Sequence, residues 1–275
     1  MPTLTDSPPA EGFLGYHADT HDIHAYQLHG RPVTFAFSKH LGLNQETEQE
    51  WVDFVKARWL EWWDIFQGFP FPSYTIVFGG DELVWTAGAK GVGFEIDYGW
   101  LVTHTGDAAL AHEIFHAWLP NSIVVGTGRL EEKWFNEGVT EYYGYRGCGP
   151  VRTVESLRGA LDYYQRALEA GQDMPLDQAG QLFGTERSFF YYAKGALVAL
   201  VLDRELDQNY GLSLDDVLRT MYNEYGIYGG VVTNDDILRI LNQVTGEDLT
   251  DFFNKYVYGA VELPLTEQDL VYVYH

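Results

Sequence analysis

The sequence predicts an α+β fold: a strand-rich N-terminal half packed on a helical C-terminal half. Three observations predict it. Segments of strand composition, VTFAFS, YTIVFG and a glycine-punctuated stretch around Phe94, all precede residue 104. From Asp107 onward the chain reads as mostly helical, with capping residues at Asp107, Ser213 and Thr233. Of 275 residues, 46% are hydrophobic and 16% aromatic, enough for a large core and for one large domain or two fused ones.

The elements follow in order. The first 30 or so residues are polar, and their HADTHDIH (His17, His21, His24) lacks a helical or strand frame for metal binding, so a solvated loop or edge segment is expected. A first strand covers 33–38. A helix over 45–67 follows, because Trp51, Phe54, Val55, Trp59, Trp62 and Ile65 fall on one face, and GFPFP stops it. Strands are expected at 74–79 and near 94–103. Asp107 is positioned to cap the helix ALAHEIFHAWL, which Pro120 ends. Further helices fit 133–145, 153–171, 189–207, 213–225, 233–244 and 248–258. Ser213 and Thr233 each open an [ST]-x-x-D capping pattern. The run GALVALVL is apolar on every side, so its helix should be central and buried.

Charge and composition exclude several function classes. The formal net charge of −23 repels phosphate backbones and anionic lipid, so neither a nucleic acid nor a membrane surface is an expected partner. No stretch of about 18 apolar residues is present, and the N-terminus has no cationic flank with an apolar run, so a cytoplasmic location is expected. A single Cys148 excludes an internal disulfide framework and a multi-thiolate metal site. Cys148 itself, in YRGCGP, reads as a loop thiol. A metal here must use His and carboxylates.

The sharpest signal is His112-Glu113-Ile114-Phe115-His116. Residues four apart on a helix lie about 40° apart around its axis, so both imidazoles project from one face and can share a small cation. Glu113 sits beside them without needing to ligate, in reach of a bound water. A third protein ligand is needed. Downstream comes WFNEGVTEYY, in which Glu137 and Glu141 lie one turn apart. Twenty residues separate His116 from Glu137, room for a loop and a second, crossing helix. Glu137 is the preferred third ligand and Glu141 an outer acceptor for an imidazole N–H. Glu131 and Glu132 fall too early and read as solvated charge.

HEIFHAW, then WFNEGVTEYY, then YYAKGALVALVLD resemble the glycyl aminopeptidase family of gluzincin metallopeptidases and, more distantly, the aminopeptidase N group. SLDDVLRTMY and DFFNKYVYGAVELPL resemble that family's helical region, and DSPPAEGF echoes the end of its N-terminal β-domain. The resemblance covers residues 74–264. It implies a thermolysin-like zinc peptidase domain, with a small, mostly antiparallel sheet and the HExxH helix, followed by a helical subdomain. The corresponding division is 1–40 as the remnant of a β-domain, 41–148 as the catalytic subdomain and 149–275 as the helical one. The full β-domain and PDZ-like module of the family exceed what 275 residues can hold.

The resemblance also implies one zinc per chain on His112, His116 and Glu137, Glu113 as general base, and peptides as substrates. It makes Tyr192 the transition-state stabiliser, with Tyr191 the competing position. Aminopeptidases of this group read a free amine with a glutamate in a G-x-[ML]-E-type motif. Here only Gly91-Val92-Gly93-Phe94-Glu95 approaches it, making Glu95 and Gly93 the candidate substrate-binding residues. An endopeptidase and a non-catalytic zinc scaffold are the alternatives.

Overall fold

The computed structural model describes residues 16–69, 71–79, 84–88, 91–103, 106–126, 130–226 and 230–274. The segment DSPPAEGF lies outside them. Five strands form one sheet: β1 (His21–Leu28), β2 (Arg31–Ser38), β3 (Tyr74–Phe78), β4 (Val84–Gly88) and β5 (Gly91–Ile96), in the order β1-β2-β3-β5-β4. β1 and β2 form an antiparallel hairpin whose two turn residues, His29 and Gly30, both have positive φ. The HDIH half of the histidine-rich segment is thus an edge strand, and His24 Nε2 is occupied by Glu48, 2.8 Å away.

The sheet is mixed rather than mostly antiparallel. β2–β3 and β3–β5 are parallel, while β1–β2 and β4–β5 are antiparallel. The parallel β2–β3 pair follows from the connection. A 22-residue helix, α1 (Gln45–Phe66), carries the chain back to the starting edge, as parallel pairing requires. Strand direction depends on such a crossover, which hydropathy alternation does not encode. Two further differences arise in the glycine-rich stretch: β4 was not expected, and 98–103 is helical (α2, Tyr98–Thr103) rather than strand. Asp97 Oδ1 accepts the Trp100 N–H at 2.8 Å, an N-cap geometry that outweighs the β-favouring composition of YGWLVT.

α1 begins at Asn44, whose side chain accepts from the Thr47 N–H, and ends at Gln67 in the left-handed region. Its buried Trp59 meets Tyr74 of β3 at 5.4 Å and Trp118 at 5.2 Å, ring centre to ring centre. Trp62 meets Phe115 edge-on at 5.3 Å. α1 is therefore an aromatic spacer between the sheet and α3 (Asp107–Phe115), the helix carrying the HExxH pair. α3 starts one residue earlier than expected, with Gly106 rather than Asp107 at its cap, and its regular hydrogen bonding stops at Phe115 rather than running on to Pro120. His116 keeps helical dihedrals, so the four-residue spacing of the imidazoles survives.

Next comes a π-helical turn, Trp134–Val139, continuing into α4 (Thr140–Arg146). Then follow α5 (Pro150–Glu169), the single turn α6 (Leu176–Ala179), α7 (Phe189–Tyr210), α8 (Leu214–Met221), α9 (Asn234–Thr245) and α10 (Thr250–Tyr256). Both expected capping boxes are present, at Ser213 and Thr233. Gly195–Leu202 of α7 is buried on all sides. Buried polar contacts lock α4 to its neighbours: Tyr142 donates to Asp203 of α7 at 2.7 Å, Asp203 also accepts the Leu214 N–H at 2.7 Å, and Tyr143 and Arg146 both reach Asp215 of α8.

The π-helical turn crosses α7 at a pair of glycines. A Cβ on Gly138 would sit 2.5 Å from Gly195 Cα, and one on Gly195 would sit 2.8 Å from Gly138 Cα. This backbone contact brings Glu137, next to Gly138, towards Tyr192 at the start of α7. Gly138→Ala is expected to cost about 1–3 kcal/mol by overpacking. Calorimetry should show it as a Tm drop of about 2–4 °C per kcal/mol. Gly159→Ala on α5, where a Cβ meets nothing within 4 Å, should instead gain up to about 1 kcal/mol. An unchanged Tm for Gly138→Ala would show that the crossing tolerates a methyl group.

Candidate metal centre

Three side chains converge where α3 meets the π-helical turn. The His112 and His116 rings stand 4.6 Å apart, nearly perpendicular. Glu137 Oε2 lies 3.5 Å from His112 Nε2 and 3.4 Å from His116 Nε2. All three residues are buried, as is Glu113, whose carboxylate and the two imidazoles lie within 4.8 Å of one another. These separations fit a cation. Zinc bonds of about 2.0–2.1 Å in tetrahedral array put neighbouring donor atoms about 3.3–3.4 Å apart. Two imidazoles and a carboxylate also suit zinc chemically.

Both imidazoles are oriented from behind. His112 Nδ1 lies 2.7 Å from Glu141 Oε2, and His116 Nδ1 lies 2.7 Å from the Leu119 carbonyl. Each partner favours a proton on Nδ1, which leaves the Nε2 lone pair free for a cation held between the imidazoles and Glu137. Tyr145 is hydrogen-bonded to Glu141 in turn. Burial disfavours a charged His112, yet Glu137 and Glu141 outweigh it and hold His112 well above the usual histidine range. Burial likewise works against an ionised Glu137, but His116 and His112 hold its carboxyl well below the usual range. The pocket therefore stabilises positive charge between its carboxylates.

The residues flank a cleft of about 490 Å³ that Glu113, Lys133, Asn136, Phe183 and Tyr192 also line. Tyr192 is the cleft residue of the tyrosine pair, with its ring 5.9 Å from that of His112. Tyr191 is 1% exposed, does not line the cleft and stacks on Tyr192 at 4.8 Å. Burial, followed by the Glu137 charge, raises the Tyr192 phenol far above its ordinary pKa, so it keeps its proton at every working pH.

Sequence reasoning missed Lys133. Its Nζ lies 2.8 Å from Glu137 Oε1, leaving Oε2 to the imidazoles. The signal was the i, i+4 spacing of Lys133 and Glu137. Glu132, expected to be solvated, is 3% exposed, while Glu131 is exposed. The Cys148 thiol is half-buried, donates to the Gly144 carbonyl, and is pushed by burial up to about 12, the character of an inert thiol.

The structure does not bring Glu95 and Gly93 to this cleft. β5 alternates, and Phe94 and Ile96 take the face packed on the main core. Glu95 therefore points to the opposite face, where its register partner Val77 packs with Ala36. Gly93 has a different reason to be glycine: a Cβ there would lie 2.2 Å from the Thr75 carbonyl of β3.

No protein-family model matches the chain, and no curated protein matches it by sequence. Solved structures do. An aminopeptidase N family protein from Idiomarina loihiensis superposes with a TM-score of 0.71 at 21% identity, over 90% of this chain and 48% of its own. An M1 zinc metallopeptidase from Deinococcus radiodurans, in a mutant bound to a Tyr-Ser-Ala substrate, gives 0.61 at 16% identity, over 90% and 54%. Leukotriene A4 hydrolase from Saccharomyces cerevisiae gives 0.58 at 15%, over 89% and 40%. The chain thus spans about half the length of the structures it resembles. Its mixed sheet and helical array have the fold of the aminopeptidase N family of M1 zinc metallopeptidases.

Proposed function

We propose that this chain is a zinc-dependent peptidase of the aminopeptidase type, built as a thermolysin-like domain followed by a helical one. The observation that carries the reading is Glu137 Oε2 at 3.5 and 3.4 Å from two imidazole nitrogens, with Glu113 beside them. His112 Nε2, His116 Nε2 and Glu137 Oε2 would hold one zinc ion. A bound zinc would supply a Lewis acid for the scissile carbonyl and acidify the attacking water.

The remaining work falls to the protein's own side chains. Glu113 accepts a proton from the attacking water on its carboxylate and delivers it to the leaving amine. Tyr192, kept neutral, donates a hydrogen bond to the developing oxyanion. Glu141 and the Leu119 carbonyl keep the imidazoles turned to present Nε2. Tyr192→Phe is expected to slow peptide cleavage by roughly 10²–10³ with zinc content unchanged. Tyr191→Phe should leave the rate near wild type. The reverse pattern in steady-state kinetics would exchange the two roles.

A second reading, an endopeptidase, is favoured by the position of Glu95 on the far face of the sheet, away from a substrate amine in the cleft. Metal analysis combined with matched peptides, amino-terminally free or acetylated, tests both readings. Cleavage of free peptides alone supports the aminopeptidase. Equal cleavage of both supports the endopeptidase. A zinc-loaded protein that cuts neither is a scaffold.

A further inference from the structure

Among the described residues lining the cleft, Lys133 is the one Lys or Arg. Its ammonium is held between Glu137 Oε1 at 2.8 Å and the face of Phe183, 4.9 Å from the ring centre. The Lys133 side chain is 22% exposed, so this clamp leaves it open to the cleft. An ammonium has three donors, and Glu137 takes one. Three residues on, Asn136 lines the same cleft, and its Oδ1 is buried without a hydrogen-bond partner. A buried acceptor left bare is costly and calls for an N–H or a water.

A cation and an unfilled acceptor on one wall form a matched pair of handles. A peptide residue bearing a carboxylate offers both complements: the carboxylate for Lys133 and its own amide N–H for Asn136. Phe183, 60% exposed, supplies the apolar flank for the intervening carbons. We propose that Lys133 and Asn136 form a substrate subsite that selects peptides carrying a carboxylate next to the scissile bond. The carboxylate is either the C-terminus or an Asp or Glu side chain. This inference rests on the peptidase reading above. It also runs against the long-range field, because a net charge of −23 repels anionic peptides. A preference for carboxylate must therefore come from contact within the cleft.

The test uses the zinc-loaded Glu113→Gln protein, in which peptides persist, and isothermal calorimetry with two matched pairs. One pair differs in a free against an amidated C-terminus, the other in Glu against Gln beside the scissile bond. The carboxylate member of at least one pair should bind about tenfold or more tightly, as expected for a charge-assisted contact. The pair that responds identifies the source of the carboxylate. Adding Lys133→Met should erase the preference, and Lys133→Arg should retain it. Zinc content is measured on each variant, and the within-variant ratio is insensitive to a change in loading. Equal binding within both pairs, or a preference that survives Lys133→Met, overturns the subsite. Wild-type cleavage of peptides without any carboxylate preference sinks the subsite and leaves the peptidase reading standing. Carboxylate-selective binding without cleavage does the opposite.

Discussion

Glu113→Gln is expected to abolish most peptide cleavage while leaving zinc content and Tm unchanged. The substitution is isosteric and removes one function, the ability to take and return a proton. General-base catalysis is commonly worth 10²–10⁴-fold, so kcat should fall by that amount. Peptide binding should persist, because the amide fills the same space. The sharpest alternative concerns ligation. The Glu113 carboxylate and the two imidazoles lie within 4.8 Å of one another, as close a grouping as a metal site needs. If Glu113→Gln loses its zinc, Glu113 is a ligand and the base lies elsewhere. If it keeps both zinc and full activity, the general-base role fails outright. Elemental analysis and steady-state kinetics on the same preparation separate these outcomes.

The second large effect is metal loss. His112→Ala, His116→Ala and Glu137→Ala should each fall well below one zinc per chain after dialysis, because each removes one of the three proposed protein donors. Glu141→Ala should be milder. It leaves three donors in place but frees the His112 ring to turn, and losing an outer partner of this kind typically costs 10–100-fold in metal affinity. Competition against a chelator of known affinity gives the order directly. Full zinc occupancy in Glu137→Ala would move the third donor, with Glu141 the first residue to test. Loss of zinc from all three donor variants, with milder loss from Glu141→Ala, would match the distances at the junction of α3 and the π-helical turn.

The two imidazoles were legible in the sequence because their relation is local. Helix geometry alone puts residues four apart on one face, and nothing distant alters that. The apolar stripe of α1 and the capping boxes at Ser213 and Thr233 were legible for the same reason. Glu137 is legible only as one of two candidates a turn apart, since its approach to His112 depends on where a second helix crosses the first. The crossing is set by the Gly138–Gly195 contact, a pairing of residues 57 positions apart that no local pattern reveals.

The elements that sequence reasoning misread share one cause. Each depends on what lies across from it. Half of the sheet's ladders are parallel, β2–β3 because α1 returns the chain to its starting edge and β3–β5 because β4 intervenes as an antiparallel edge strand. Glu95 turns away from the cleft because Phe94 and Ile96 claim the core-facing side of β5. Glu132 reads as a surface charge until the fold buries it. Lys133 reads as a helix-surface cation until Glu137 and Phe183 enclose it.

The sequence by itself determined the class of fold, the helical half and the chemistry of the donors: two histidines one turn apart, an acid between them, and a shortage of thiols. Those follow from short-range periodicity and from which atoms can bind a cation. Tertiary structure alone decided that Glu137 meets the imidazoles, that Tyr192 rather than Tyr191 lines the cleft, that Lys133 stands in its wall, and that Glu95 does not. Such choices turn on ångström-scale distances between residues remote in the chain, and close packing around α7, rather than local propensity, sets those distances.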